Sequence, residues 1–226
     1  IREARLATDH PIDLNDDPTN SGLIGLPMSP ITSVTGALEA KKASINPNFA
    51  AVLIDMLTRA GVKEGDSVAV GMSGSFPALN IAVCCALETM KVKPLIISST
   101  SASQWGANVP ELTWLDMERL LEEADVISFR SFAASVGGHE DTGRGLTQEG
   151  KELIAAAMQR NKIPSLETKD SFEASVDQRM DEFNRKAEGR AIKAYLNVGG
   201  GTVSVGSSVG KNSSSPASTR RPRLEW

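Results

Sequence analysis

Apolar positions at Phe49, Val52, Leu53, Met56 and Leu57 recur at i, i+3, i+4, i+7 and i+8, the spacing of one helix face. Asn46-Pro47 stands before them as a cap and Gly61 after them as a stop, so a helix is predicted there. Next comes a strand at 67–71, an apolar run of Val68, Ala69 and Val70 that breaks into Gly and Ser. A helix over 76–90 follows, with Ser75 as its N-cap and Pro77 in the first turn, where no backbone N–H is needed. Leu95-Ile96-Ile97, opened by Pro94 and closed by Ser98-Ser99-Thr100-Ser101, completes a strand–helix–strand unit.

The alternation continues. Thr113 with Asp116 three residues on opens a helix through Leu120 and Leu121, and Val126-Ile127-Ser128-Phe129 is the expected third strand. A Gly-rich loop at 135–145 leads to Thr147 and a helix carrying Leu153, Ile154, Ala157 and Met158; a short apolar segment with Pro164 lies at 163–166. A last helix, with Phe172, Val176, Met180, Phe183 and Ala187 on one face, feeds a strand at 191–197 that runs into Gly199-Gly200-Gly201. Repeated β/α alternation with short apolar strands predicts an α/β fold: three-layer, doubly wound, Rossmann-like or flavodoxin-like, with a mostly parallel sheet and helices on both faces. The expected organisation is an irregular N-terminal arm over 1–35, the α/β domain over 36–205 and a disordered Ser/Arg-rich tail over 206–226.

Composition narrows the function classes. The chain has 226 residues, is 40% hydrophobic, and carries a net charge of −4 with both signs interspersed. It is long enough for a sizeable core and lacks the basic footprint of a nucleic-acid binder. Its two cysteines, Cys84 and Cys85, are adjacent in a predicted helix, where disulfide geometry is unfavourable, and both read as small core residues. Asp13, Asp16 and Asp17 lack the spacing of a calcium loop, and no Cys/His cluster exists; neither a metal nor a cofactor is expected. The chain begins at Ile1, without Met, as a truncated or processed form would, and its N-terminus shows neither a membrane-spanning stretch nor a signal pattern.

In a parallel sheet, ligands bind beyond the carboxyl ends of the strands. Here those ends are Ser73-Gly74-Ser75, residues 98–108, residues 131–145 and residues 199–201, all polar or Gly-rich, whereas loops at the opposite edge, such as 62–66 and 90–93, are charged. The contrast places a candidate ligand site on Ser73, Gly74, Ser75, Ser103, Trp105, Asn108, Asn197, Gly199, Gly200 and Gly201. The turn at Ser73–Ser75 is an anion-binding candidate because helix-opening N–H groups lack internal partners. It falls one residue short of both the nucleophile elbow and the dinucleotide fingerprint. For hydrolysis Ser73 needs a base, and of the two histidines His139 lies on the proposed edge, with Asp116 or Asp141 to orient it; a solvated His139 in a flexible loop is the plainer alternative. Trp114 is read as core, and Asn108 either lines the pocket or supports a turn.

Several stretches, taken in order, resemble one family: Pro18-Thr-Asn-Ser-Gly-Leu-Ile-Gly25, Lys42-Ala-Ser-Ile-Asn-Pro-Asn-Phe49, Gly71-Met-Ser-Gly-Ser-Phe-Pro-Ala-Leu-Asn80, Ser103-Gln-Trp-Gly-Ala-Asn108 and Asn197-Val-Gly-Gly-Gly201. Together they look like the poly-gamma-glutamate system protein family, over about residues 18–211. The resemblance implies a bacterial, membrane-associated accessory component of poly-γ-glutamate synthesis or export, extracytoplasmic by preference and normally tethered by an N-terminal hydrophobic helix. It implies as partners poly-γ-glutamate, or another carboxylate ligand, and the membrane-bound synthesis and export proteins. The alternative is a serine-dependent hydrolase or amidase acting on γ-glutamyl bonds. The resemblance itself carries over no catalytic residues.

Overall fold

The structure, a computed structural model, describes residues 1–199 and 201–205. Gly200 and the tail from 206 onward therefore lie outside the described residues. The elements in chain order are α1 (Arg2–Leu6), β1 (Thr32–Val34), α2 (Leu38–Ser44), α3 (Asn48–Arg59), β2 (Ser67–Ser73), α4 (Pro77–Thr89), β3 (Lys93–Ser99), β4 (Ala102–Ser103), β5 (Asn108–Val109), β6 (Leu112–Thr113), α5 (Trp114–Glu123), β7 (Ala133–Ser135), α6 (Gln148–Arg160), α7 (Phe172–Ala187), β8 (Ile192–Val198) and α8 (Thr202–Val205).

A 4-stranded parallel sheet in the order β7-β3-β2-β8 forms the centre. Successive side chains of a strand point to opposite faces, and the strands are apolar on both. On one face Val68, Val70, Met72 and Ile96 join Val83 and Leu87 of α4, Leu115 of α5 and Ile154 of α6 in the main core. On the other, Ala69, Leu95, Ile97 and Ala133 meet Phe183 and Ala187 of α7. The fold is thus a doubly wound, three-layer α/β arrangement. Among the described residues no helix is long and apolar enough to cross a membrane.

Three elements differ from the sequence expectation. The third strand is Ala133–Ser135, not 126–129. Val126 is exposed, Ile127 is a buried plug, and Ser128 binds the Glu88 carboxylate through its N–H and Oγ, each at 2.9 Å from Oε2, which ties the segment to the end of α4. Ala133–Ser135 pairs instead with Ile97–Ser99, where small residues fit between the sheet and α7. The helix at Asn48–Arg59 is present, but only Leu57 of its apolar face is fully buried, and Phe49, Val52 and Met56 face solvent. In α7 the buried residues are Ser175, Arg179, Phe183 and Ala187, because Arg179 reaches polar partners at the sheet edge.

The arm is bound to the domain. Thr32–Val34 pairs in parallel with Ala102–Ser103. Asn108, fully buried, accepts the N–H of Leu26 at 2.8 Å and donates to the Leu26 carbonyl at 2.8 Å and to Thr32 Oγ1 at 2.9 Å. Gly25 runs so close beneath that a Cβ there would stand 1.9 Å from the Gly106 carbonyl oxygen. Deeper in the core, Glu118 is fully buried; Ser131 Oγ donates to its Oε1 at 2.9 Å, and its Oε2 has no partner among the described residues. Burial, outweighing that hydrogen bond and the charge of Arg130, raises its pKa from 4.5 to about 7.

Asn108→Ala leaves the Leu26 N–H without its partner and opens a void beneath the arm, while the Leu26 carbonyl keeps the Trp105 N–H at 2.8 Å. It is expected to cost about 2–4 kcal/mol, read as a Tm fall of roughly 5–15 °C in thermal denaturation. Glu118 binds a proton in the folded chain that it loses when unfolded between pH 4.5 and about 7, so its burial penalty grows as pH rises through that window. Glu118→Gln should therefore gain stability relative to the parent protein as pH rises from 4.5 to about 7 in parallel urea titrations. A pH-independent difference would contradict this.

Candidate functional site

The parallel register sets Ser73 beside Ser99 and Ser99 beside Ser135 at the carboxyl edge of the sheet. Above this row opens a cleft of about 430 Å³. Ser33, Ser73, Ser75, Ser99, Ser101 and Ser103 line it together with Thr35, and Gly36, Lys41, Phe76, His139 and Gly201 complete the lining that matters for the chemistry. β1 and α2 form one wall and the loop after β7 the other.

Lys41 is the charged group at the base of the first wall. It projects from α2 with only 2% of its surface exposed. Its Nζ donates to the Ser75 carbonyl and, at 2.8 Å, to Ser103 Oγ, and it sits 3.6 Å from the centroid of the Phe76 ring. Among the described residues it forms no ion pair. Loss of hydration lowers its pKa from 10.5 to about 8. The sequence pattern marks no lysine as a site residue. The only signal available was the place of Lys41 in Leu38–Ser44, where a lysine next to Lys42 reads as an ordinary solvated charge.

The turn after β2 is built differently from its sequence reading. Phe76, not Ser75, is the N-cap of α4, and no side chain caps that helix, although Pro77 does open it. Ser75 Oγ instead receives Ser73 Oγ at 3.0 Å and the Ser103 N–H at 3.0 Å. This internal network orients Ser73, Ser75 and Ser103 toward one another and joins the turn to β4. Asn80, at the back, donates to the Ser73 carbonyl at 2.9 Å.

Ser73 and His139 both line the cleft, but no hydrogen bond joins them. The His139 ring is largely exposed, with Nε2 3.5 Å from Glu140 Oε1. Both carboxylates proposed to orient it are committed elsewhere. Asp116 accepts the Thr113 N–H at 2.8 Å and binds Arg160 and Asn161. Asp141 accepts Arg179 Nη2 at 2.7 Å, Ser135 Oγ at 2.6 Å and the Gly137 N–H at 3.1 Å. Arg179 also reaches Ser135 Oγ at 2.7 Å, so the pair clamps the loop after β7 onto the sheet edge. Gly137, at φ +78°, crosses so near Ser101 that a Cβ would stand 2.4 Å from its Oγ.

The remaining candidates separate into lining and scaffold. Ser103 and Gly201 line the cleft with Ser73 and Ser75. Gly74 packs against Thr100, Ser101 and Ala102, and its carbonyl receives the Ala107 N–H at 2.7 Å. Asn197 donates to the Gly199 carbonyl at 2.8 Å, and Gly199 lies where a Cβ would press on Ser73. Trp105 donates from Nε1 to Asp16 at 3.2 Å, and Asn108 holds the arm, so neither belongs to the cleft lining. Trp114 is fully buried in the main core. Gly200 lies outside the described residues. Among the described residues no group of His, Cys, Asp or Glu is arranged to hold a metal ion.

Fold and site together define a doubly wound α/β domain with a hydroxyl-lined cleft and one buried lysine at the carboxyl edge of its sheet. No protein-family model, curated protein or solved structure matches the chain.

Lys41 holds fewer protons in the folded chain than in the unfolded one between pH 8 and 10.5, so its burial penalty is complete below about 8 and fades as pH rises to 10.5. The stability of the parent protein minus that of Lys41→Met should therefore increase across that window, as measured by urea denaturation at a series of pH values. A constant difference would show that the amine is well solvated.

Proposed function

We propose that the cleft binds a carboxylate-bearing ligand, and that the ligand is the γ-linked glutamate polymer suggested by the sequence resemblance. The observation that carries the reading is Lys41: among the described residues this buried cation has no acidic partner, and the cleft it faces has a lining that holds hydroxyls and His139 but no carboxylate. An unpaired buried charge is costly, and an incoming anion offsets that cost. Serine hydroxyls at the sheet edge, at Ser99 and Ser101, donate to the ligand carboxylate from across the cleft, while Lys41 supplies positive potential.

In this reading the protein is an accessory component of bacterial poly-γ-glutamate synthesis or export, working at the membrane and outside the cytoplasm. The exposed stripe of Phe49, Val52 and Met56 on α3 supports docking to a synthesis or export partner.

Calorimetric titration with short γ-glutamate oligomers at low and moderate salt tests the ligand. Saturable binding that weakens as salt rises is expected. Lys41→Met, verified as folded by circular dichroism, should weaken it on the order of 10-fold or more, equivalent to ~1.4 kcal/mol. Absence of heat at both salt concentrations would remove the polymer as the ligand.

A further inference from the structure

We propose that Ser103 and Lys41 form a nucleophile–base pair that cleaves an amide or ester bond of the ligand held in the cleft. The inference rests on the cleft being the ligand site, and it assigns the reacting hydroxyl to Ser103 rather than Ser73. Of the cleft serines, Ser103 is the one whose Oγ contacts a lysine amine, Lys41 Nζ at 2.8 Å; Ser99 Oγ accepts from Arg179 Nη2 at 3.3 Å, a guanidinium that keeps its proton and cannot act as base. Ser73 Oγ is turned to Ser75, and Ser75 Oγ is occupied by Ser73 and the Ser103 N–H.

Three further features suit the pair to this chemistry. The Ser103 N–H is fixed on Ser75 Oγ, and the Lys41 ammonium is fixed on the Ser75 carbonyl, so one residue positions both reacting groups. Gly36 crosses the same wall; a Cβ there would stand 3.2 Å from Ser103 Oγ, so glycine keeps the approach to that hydroxyl open. Desolvation brings the lysine to a pKa of about 8. At pH 7 roughly a tenth of the molecules then carry the neutral amine, against fewer than one in a thousand for a solvated lysine.

The steps balance without a co-reactant other than water. Neutral Lys41 Nζ takes the Ser103 Oγ proton as the oxygen attacks the ligand's carbonyl carbon. The tetrahedral adduct collapses, its bond to the leaving nitrogen or oxygen breaks, and the leaving group takes the proton from the Lys41 ammonium. Water then attacks the Ser103 ester and gives a proton to Lys41. The ester C–O bond breaks and Ser103 Oγ recovers that proton, leaving a carboxylic acid and a free amine or alcohol. Ligand carboxylates held by the serines across the cleft leave Lys41 free to cycle between its two states.

A fluorophosphonate ester, which phosphonylates activated serine hydroxyls, tests the pair directly, with the modified peptide located by mass spectrometry. The expected result is an adduct on Ser103 that forms faster as pH rises and levels off above about 8. Lys41→Arg keeps the charge but cannot lose the proton, and it should slow the modification on the order of 100-fold or more. Should that variant fail to fold, the pH profile of the parent protein still decides: a rate flat from about pH 6 to 9 overturns the pair. An adduct on Ser73 instead of Ser103, no adduct, or a rate unchanged in folded Lys41→Arg also overturns it. Parallel titration of the parent protein with γ-glutamate oligomers separates the two readings. Heat of binding without a Ser103 adduct sinks the pair and leaves the binding cleft standing, whereas the adduct without heat supports the pair and removes the polymer as its ligand.

Discussion

Parallel pairing of β2 with β3 on one side and β8 on the other is the constraint from which the site follows. Because the strands run the same way, every loop that leaves their carboxyl ends emerges at one edge. β2 is also where the winding reverses: the chain moves outward through β3 and β7, then returns to place β8 on the other side of β2. Ser73 and Gly201 therefore meet across that reversal, and the cleft opens where adjacent loops diverge. Apolar side chains on both faces of β2 and β3 hold the register, and a slip of one residue would exchange the two cores.

Against this rigid edge the chain places an energetically unfavourable group. Lys41 has polar contacts for its protons and an aromatic face for its charge, yet these do not restore its lost hydration. Such groups persist where function requires them and surrounding structure absorbs the cost. The Arg179–Asp141 pair is the contrasting case, a cation with its anion beside it and a positional task at the loop after β7. The two sides of the cleft thus differ in kind, one held by a cation with its anion beside it and the other carrying a cation without an anion among the described residues.

Much of the fold was legible because periodicity and punctuation agreed. The spacing from Phe49 to Leu57, the capping pair Thr113 and Asp116, and the apolar runs around Val68 and Ile96 each produced the element expected. The third strand was hidden because Ala133–Ser135 has almost no hydrophobic contrast, while the apolar run at 126–129 serves as a loop plug. At the site, the polar carboxyl-edge loops were visible, and Ser73, Ser75 and Ser103 do lie in one cleft. Lys41 was not visible, because nothing in the local sequence separates a lysine turned inward from its solvated neighbour. Asn108 looked like a ligand group for a related reason: a buried amide that latches backbone and one that binds a ligand are identical in sequence, and only the partners at Leu26 and Thr32 tell them apart.

Asn108 joins partners separated by 82 residues, and Lys41 meets Ser103 across 62. Closing loops of that length is slow compared with forming a helix or a local turn. During synthesis the arm leaves the ribosome before the strands and loops that will receive it exist. It must stay unpaired until β4 and Asn108 have been made and the β2–β3 pair has formed. The cleft is thereby a late product of folding: a chain arrested before Ser75 and Ser103 have been made holds its lysine in water, and the buried cation arises only once the turn after β2 and β4 close over α2.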